Sequence, residues 1–479
     1  MATESSCKHR CRQGEEQLPG IWNSFPCRKR QRPGRAKGKG EVPSDKAESP
    51  KLMYPRGVMR PNNHFSVSAY WFAVNLLWGA LLIIIIPSQM KVLAPERPAE
   101  TTGLLIGIGA IPALIVPLIV GPLSDRCMSR LGRRRPYMIV GTVVTILGLE
   151  LIWMAGLRMS LWFYFLGYFV TNIGNNVATG AYNGVIPDVV PVGQRGVASG
   201  WMAAMSQLGT VLGVLSSAIL MNAGHAGLSL LVIAVSMVLF LGLTVCGVRE
   251  QPRVAQPGPL DLLGFLKRLW IDPRKHPDFA WVWITRALVV MGMWTVQEYM
   301  QFYIVDVLGV PDAKKEITAG GILVISLLCA TVTGLIGGSV SDRIGRKRVV
   351  YIANGTIAVA CFAFLLSPSI VYAYVVAAIF GLGFGAYYSV DWALGCDVLP
   401  DKTNPGKDMA VWHISMVLPQ SIVLPISGAV LGLFGHTTTR EATGLVTHYT
   451  RDGYVAIFSI AAVLLLLGAV LIRNVKGVR

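Results

Sequence analysis

Charge is the scarcest property of this chain: 14% of its 479 residues are Asp, Glu, Lys or Arg, against about 25% in a soluble domain. A surface so poor in charge is not wetted all round, which excludes an ordinary water-soluble globule and leaves an integral membrane protein. Acids are scarcer than bases, and the net charge of +17 invites a nucleic-acid reading. However, 35 of the 43 Lys and Arg fall in segments assigned below to one side of a membrane. Topology accounts for the excess, and no nucleic-acid partner is expected. Cysteine is sparse and scattered, at positions 7, 11, 27, 127, 246, 329, 361 and 396. Five of these lie in or beside apolar runs with no pairing pattern, which argues against a disulfide framework. The stretch CKHRC at Cys7–Cys11 lacks an obvious fourth ligand, so no metal site is expected. GxxxxGK[ST], HExxH, GxSxG and CxxC patterns are all missing, which leaves ATP drive and an enzyme unsupported and no cofactor expected.

What is present is apolar length: 53% of residues are hydrophobic and the mean hydropathy is +0.53. Residues 1–62 form a basic, Gly- and Pro-rich tail without the apolar core of a secretory signal, read as disordered. It is either a solvated tail or a patch that attracts anionic headgroups, and Met53 or Met59 is an alternative start. Twelve runs of about 20 apolar residues follow, near 66–87, 101–123, 137–157, 160–185, 197–221, 226–248, 279–305, 318–340, 348–367, 370–395, 409–434 and 452–472. Hydrocarbon offers no water to satisfy a backbone, so these are expected as spanning helices. Loops on the tail side carry 35 Lys and Arg and those on the other side seven. By the positive-inside rule both termini are cytoplasmic and the protein is multi-pass in the plasma (inner) membrane. The polar linker 249–278 separates six-helix bundles expected over 63–248 and 279–479. Within it LDLLGFLKRLW reads as a short amphipathic helix on the membrane surface.

The halves share punctuation. Gly121-x-x-Ser124-Asp125-Arg126 answers Gly338-x-x-Ser341-Asp342-Arg343, and Gly132-Arg133-Arg134-Arg135 answers Gly345-Arg346-Lys347-Arg348. IPDVVP at 186–191 answers CDVLP at 396–400, and GAY occurs at Gly180 and at Gly385. Marks in one order at a near-constant offset point to two duplicated halves, a transporter architecture. GPLSDRCMSRLGRRRP and GGSVSDRIGRKR resemble the loop motif of the major facilitator superfamily, over residues ~65–475. The longer form, with four extra residues CMSR, resembles the glycoside–pentoside–hexuronide:cation symporters and sucrose-type proton symporters. The resemblance implies an all-α fold of twelve transmembrane helices in two pseudo-symmetric halves.

It also implies that Asp125, by meeting the positive N-terminus of the eleventh helix, latches the cytoplasmic side. By pseudo-symmetry Asp342 meets the fifth, and Arg126, Arg130 or Arg343 pairs with Asp188 and Asp397. Arg133 to Arg135 are expected to be topology anchors. In the fourth span Asn172, Asn176, Thr179 and Asn183 form one polar stripe at helical spacing. Amides suit a hydroxyl-rich ligand, and also suit interhelical hydrogen bonds. Asn75, Arg286, Trp294, Gln297, Trp392 and Gln420 complete the candidate binding set, with Arg286 either lining a cavity or snorkelling to the interface. His413 shares a face with Gln420, and Gln301 lies near Gln297. Asp391, then Glu298, then Glu150 are the candidate proton-coupling carboxylates, since burial favours their neutral form.

The first expectation is therefore a monomeric secondary transporter for a sugar or glycoside, driven by H+ or Na+ through alternating access. The alternative is a proton-coupled efflux antiporter for small amphipathic solutes.

Overall fold

The computed structural model describes residues 61–191, 194–248, 264, 271–311, 314–400, 405–441 and 444–476. The expected tail lies almost wholly outside the described residues, as do CKHRC and most of the linker with its surface helix.

The first apolar run begins as α1 (Pro61–Ala80), passes through a π turn (Leu81–Ile85) and continues as α2 (Ile86–Leu93). Pro87 explains the π turn: it has no N–H to give to the carbonyl four residues back, so the ladder slips where that bond is missing. The widened turn packs against helices of the second half. The second run is broken for the same reason, into α3 (Pro98–Gly109) and α4 (Ile111–Asp125), with Pro112 at the start of the latter. Next come α5 (Arg135–Arg158), α6 (Leu161–Tyr182), the short α7 (Val185–Val189), α8 (Arg195–Asn222) and α9 (Ala226–Gly247). The second half holds α10 (Pro277–Asp306), α11 (Lys315–Ile344), α12 (Arg346–Leu365), α13 (Ile370–Asp397), α14 (Pro405–Leu433) and α15 (Arg451–Leu471).

Among the described residues, eleven helical spans are long and apolar enough to cross a membrane. The remaining expected span is α6, long enough at 22 residues but diluted by its asparagines and threonines. It is held by its neighbours instead. Gly141 and Gly174 face each other across α5 and α6, and a Cβ on either would collide with the other helix's backbone. In hydrocarbon such small-residue contacts take the place of hydrophobic drive.

One element outside the apolar runs was not expected. Between α14 and α15 lies an antiparallel hairpin, β1 (His436–Glu441) and β2 (Gly444–Tyr449), with His436 opposite Tyr449. Its face of the molecule is called the hairpin face here, and the opposite one, with the arginine loops, the basic face.

The repeated glycines have a shared backbone reason. Gly132 and Gly345 both have positive φ, 109° and 96°, a region that side chains with a Cβ rarely enter. Each turns the chain back so that the arginine after it lies over the end of its own half.

Candidate functional site

The second half concentrates the buried charge. Arg286 on α10 lies with Nε 3.0 Å from Asp391 Oδ2 on α13, and both side chains are nearly inaccessible, at 6% and 4%. One helical turn before Asp391, Tyr387 donates its hydroxyl to the other carboxylate oxygen at 3.2 Å. Arg286 also donates Nη1 to the Trp412 carbonyl at 3.0 Å and to Ser415 Oγ at 3.3 Å. Its guanidinium lies 4.4 Å from the Trp412 ring centre. The snorkelling alternative is thereby corrected: Arg286 is held inward by an ion pair, two acceptors and an aromatic face. Trp412 and Ser415 were not among the sequence candidates. Their only signal was a three-residue spacing on α14, which many helices share.

A second buried acid has a different setting. Glu298 is 1% exposed, and neither carboxylate oxygen finds a hydrogen-bond partner among the described residues. An ionised carboxylate without a partner in such a place is costly. One turn on, Gln301 Nε2 donates to Ser88 Oγ of α2 at 2.5 Å, and Ser88 donates to Glu316 of α11 at 3.0 Å. This chain links α10 to both halves. Trp294 and Gln297 are half-buried on the same helix.

In the first half the described buried polar side chains of α6 are neutral. Asn172 and Asn176 are 3% and 8% exposed. Their amide nitrogens donate to the carbonyls of Tyr168 at 3.2 Å and Asn172 at 2.9 Å. Thr179 donates to the Asn175 carbonyl at 2.8 Å. Asn175, absent from the candidate set, accepts from Trp78 Nε1 at 3.0 Å, because the amide next to the stripe reaches the first span. Asn75 is half-buried and donates to the Trp71 carbonyl at 2.8 Å. Asn183, just past α6, and His413, early in α14, are exposed, while Gln420 is half-buried. The Trp392 side chain lies outside the described residues.

Glu150 belongs elsewhere. It is exposed on α5 in line with Val143, Leu147, Met154 and Leu157, all exposed. Those positions repeat every three or four residues, the outward stripe of a spanning helix. The expectation of an interior carboxylate at this position is corrected by its helix face.

On the basic face several ion pairs lie within one half. Asp188 takes Arg133 at 2.5 Å and Arg134 at 3.0 Å, and Arg134 also pairs with Asp125. Arg134 further donates to Ser124 Oγ at 2.6 Å. In the second half Arg346 pairs with Asp397 at 2.5 Å. Arg133 and Arg346 follow the two left-handed glycines, so the pairs are repeat equivalents. The expected pairing through Arg126, Arg130 and Arg343 is corrected to these residues. Arg130 and Arg343 are exposed, and the glycine turn delivers the next residues to the aspartates instead. Arg133 and Arg134 are thus more than topology anchors. The side chain of Asp342 and the first side chains of α14 lie outside the described residues.

On the hairpin face the halves meet closely. Gly103 and Gly107 of α3 face Leu424 and Pro425 of α14, and Gly428 of α14 faces Ala99. Tyr299 donates its hydroxyl to the Leu424 carbonyl at 2.6 Å. Among the described residues no group of three His, Cys, Asp or Glu could hold a metal ion. Chemically the arrangement can bind, exchange protons and switch partners within a buried charge pair.

The family profile described as Major Facilitator Superfamily matches residues 63–404 and, overlapping, 316–476. The sucrose transport protein SUC4 of Arabidopsis thaliana is 25% identical over 186 residues, 36% of either chain, so the match spans about a third of that relative. SUT5, a sucrose transport protein of Oryza sativa subsp. indica, is 23% identical over 416 residues, 69% of this chain and 75% of its own. The general alpha-glucoside permease of Schizosaccharomyces pombe is 27% identical over 129 residues, 24% of this chain and 23% of its own. Among solved structures, a D-xylose-proton symporter superposes with a TM-score of 0.65 at 18% identity, covering 87% of this chain and 97% of that one. The nucleoside transporter NupG superposes with a TM-score of 0.63 at 14% identity, covering 86% and 99%. At these identities the likeness is one of fold.

Proposed function

The chain belongs to the major facilitator superfamily and is a multi-pass membrane transporter, and from that premise we propose that it carries a sugar or glycoside, coupled to H+ or Na+, by alternating access. The observation that carries this reading is the buried Arg286–Asp391 pair with Tyr387. A charge pair sealed from water is expensive to keep and more expensive to break on one side, by about 3–5 kcal/mol. It is a natural place for a coupling cation to compete with Arg286 for Asp391. Glu298, buried with no hydrogen-bond partner among the described residues, is a second candidate carrier. The amides of α6 supply paired donors and acceptors for hydroxyls, and the relatives named for sucrose and alpha-glucosides support the solute class.

By the positive-inside rule the basic face is cytoplasmic, and the reading is of a monomer in the plasma membrane. The close packing of α3 against α14 on the hairpin face supports a state closed on that side. When the basic face closes, Asp125 exchanges Arg134 for the start of α14, which restores the latch expected from the loop motif.

Uptake into proteoliposomes across a panel of sugars, under imposed pH or sodium gradients, tests the reading. Gradient-dependent accumulation of one sugar class is expected. Indifference to every sugar, together with drug-dependent proton release, would replace symport with efflux. Asp391→Asn should abolish gradient-driven accumulation while leaving counterflow of the same sugar measurable. Unimpaired accumulation would remove Asp391 from coupling.

A further inference from the structure

The external hairpin is fastened on two sides. Toward its own half it hangs on Asp306, the last residue of α10, whose side chain is fully buried. One carboxylate oxygen lies 2.9 Å from His448 Nδ1. The other accepts the Tyr449 backbone N–H at 3.2 Å and the Tyr454 hydroxyl at 2.5 Å. Toward the opposite half, the Tyr449 hydroxyl accepts the Ala99 backbone N–H at 3.0 Å and donates to the Glu100 carboxylate. Thr447 donates its hydroxyl to the Pro95 carbonyl at 2.5 Å, with the Glu96 carbonyl 3.3 Å away.

The second set has a particular chemistry. Ala99 lies in the first turn of α3, where backbone N–H groups have no partner within the helix. Tyr449, a residue 3% exposed, caps that end from across the seam, and its ring packs edge-on to Phe302 of α10 with centroids 6.4 Å apart. Burial, and the Glu100 carboxylate beside it, hold the phenol above its ordinary titration range, so it stays a donor at any physiological pH. Thr447 uses a carbonyl in the turn between the first and second spans. Both contacts end on the other half, whereas every bond at Asp306 stays within its own.

We propose that the hairpin is an external strap: a rigid extension of the second half that clasps the start of α3 and must release it before the outer side opens. The strap rests on the alternating-access reading and adds to it where the external barrier is set. Its contacts are hydrogen bonds that water replaces once the seam opens. It therefore biases the equilibrium toward the closed outer side without locking it.

The test is thiol labelling from outside. Thr102, fully buried in α3 one residue before the seam glycine Gly103, is replaced as Thr102→Cys. A membrane-impermeant maleimide is applied to cells, with the protein lacking this cysteine as background and denatured protein giving the total. Adding Tyr449→Phe, which keeps the ring and removes the hydroxyl, should speed labelling about three- to tenfold, the consequence of losing one or two hydrogen bonds from the closed state alone. Thr447→Val should act in the same direction and carries the same readout if Tyr449→Phe is poorly produced. Unchanged or slower labelling in the variant produced overturns the strap. Because the readout needs no solute, a negative sugar panel with accelerated labelling would remove the substrate assignment and leave the strap standing.

Discussion

The two faces of the molecule are held by different means. On the basic face Arg134 gathers Asp125 and Asp188, and Arg346 takes Asp397, so each half ties its own loops. On the hairpin face Tyr449 and Thr447 reach from one half to the other. These ionic contacts tie loops within a half, while the hydrogen bonds of the hairpin cross the seam. The difference suits their strengths. A charge pair with a buried partner costs more to break than a hydrogen bond that water can replace, which is worth about 1 kcal/mol net.

Substitutions can break or sharpen this contrast. The largest effect is expected from Asp125→Asn, which should remove most transport while leaving surface expression intact, since it disables the closing latch and spares the Arg134–Asp188 pair. Near-normal uptake by that variant would remove the latch. Arg134→Met should come next. It removes the 7% exposed arginine shared by half-exposed Asp125 and by Asp188, which keeps Arg133, and should cost about 2 kcal/mol in the thermal stability of purified protein. If its melting is unchanged but external labelling of Thr102→Cys shifts, the division between the faces is wrong. Arg346→Met acts on a more exposed pair, 23% and 37%, and should cost no more than about 1 kcal/mol. A loss as large as that of Arg134→Met would show that the two repeats are equal in strength as well as in geometry. Glu150→Gln, on the outward stripe of α5, should leave the pH dependence of uptake where it was, and a shifted profile would return Glu150 to the coupling set.

Much of the architecture was legible in the sequence because a membrane imposes one rule on every span. A backbone in hydrocarbon must satisfy itself, so apolar length reads directly as helix, and all twelve expected runs are helical. The repeat was legible too, through Gly132 and Gly345, because a left-handed turn restricts the residue type. Less was visible where two distant elements meet. Arg286 and Asp391 were each noticed, but nothing in their spacing of more than a hundred residues says that they pair. Glu150 was read as interior from its depth along the span, since depth is linear in sequence and helix face is not. The hairpin escaped notice although HTTTRE and GLVTHY carry β-branched residues around a glycine, because apolar runs were the signal being read.

The sequence by itself determined the spans, their duplicated order and the charge asymmetry between the two faces, since each follows from local solvation of the chain. Tertiary structure alone decided that Arg286 is neutralised by Asp391, that Glu298 has no hydrogen-bond partner among the described residues, and that Tyr449 caps a helix of the opposite half. Those outcomes depend on which helix faces converge, and convergence is settled by packing between residues hundreds of positions apart.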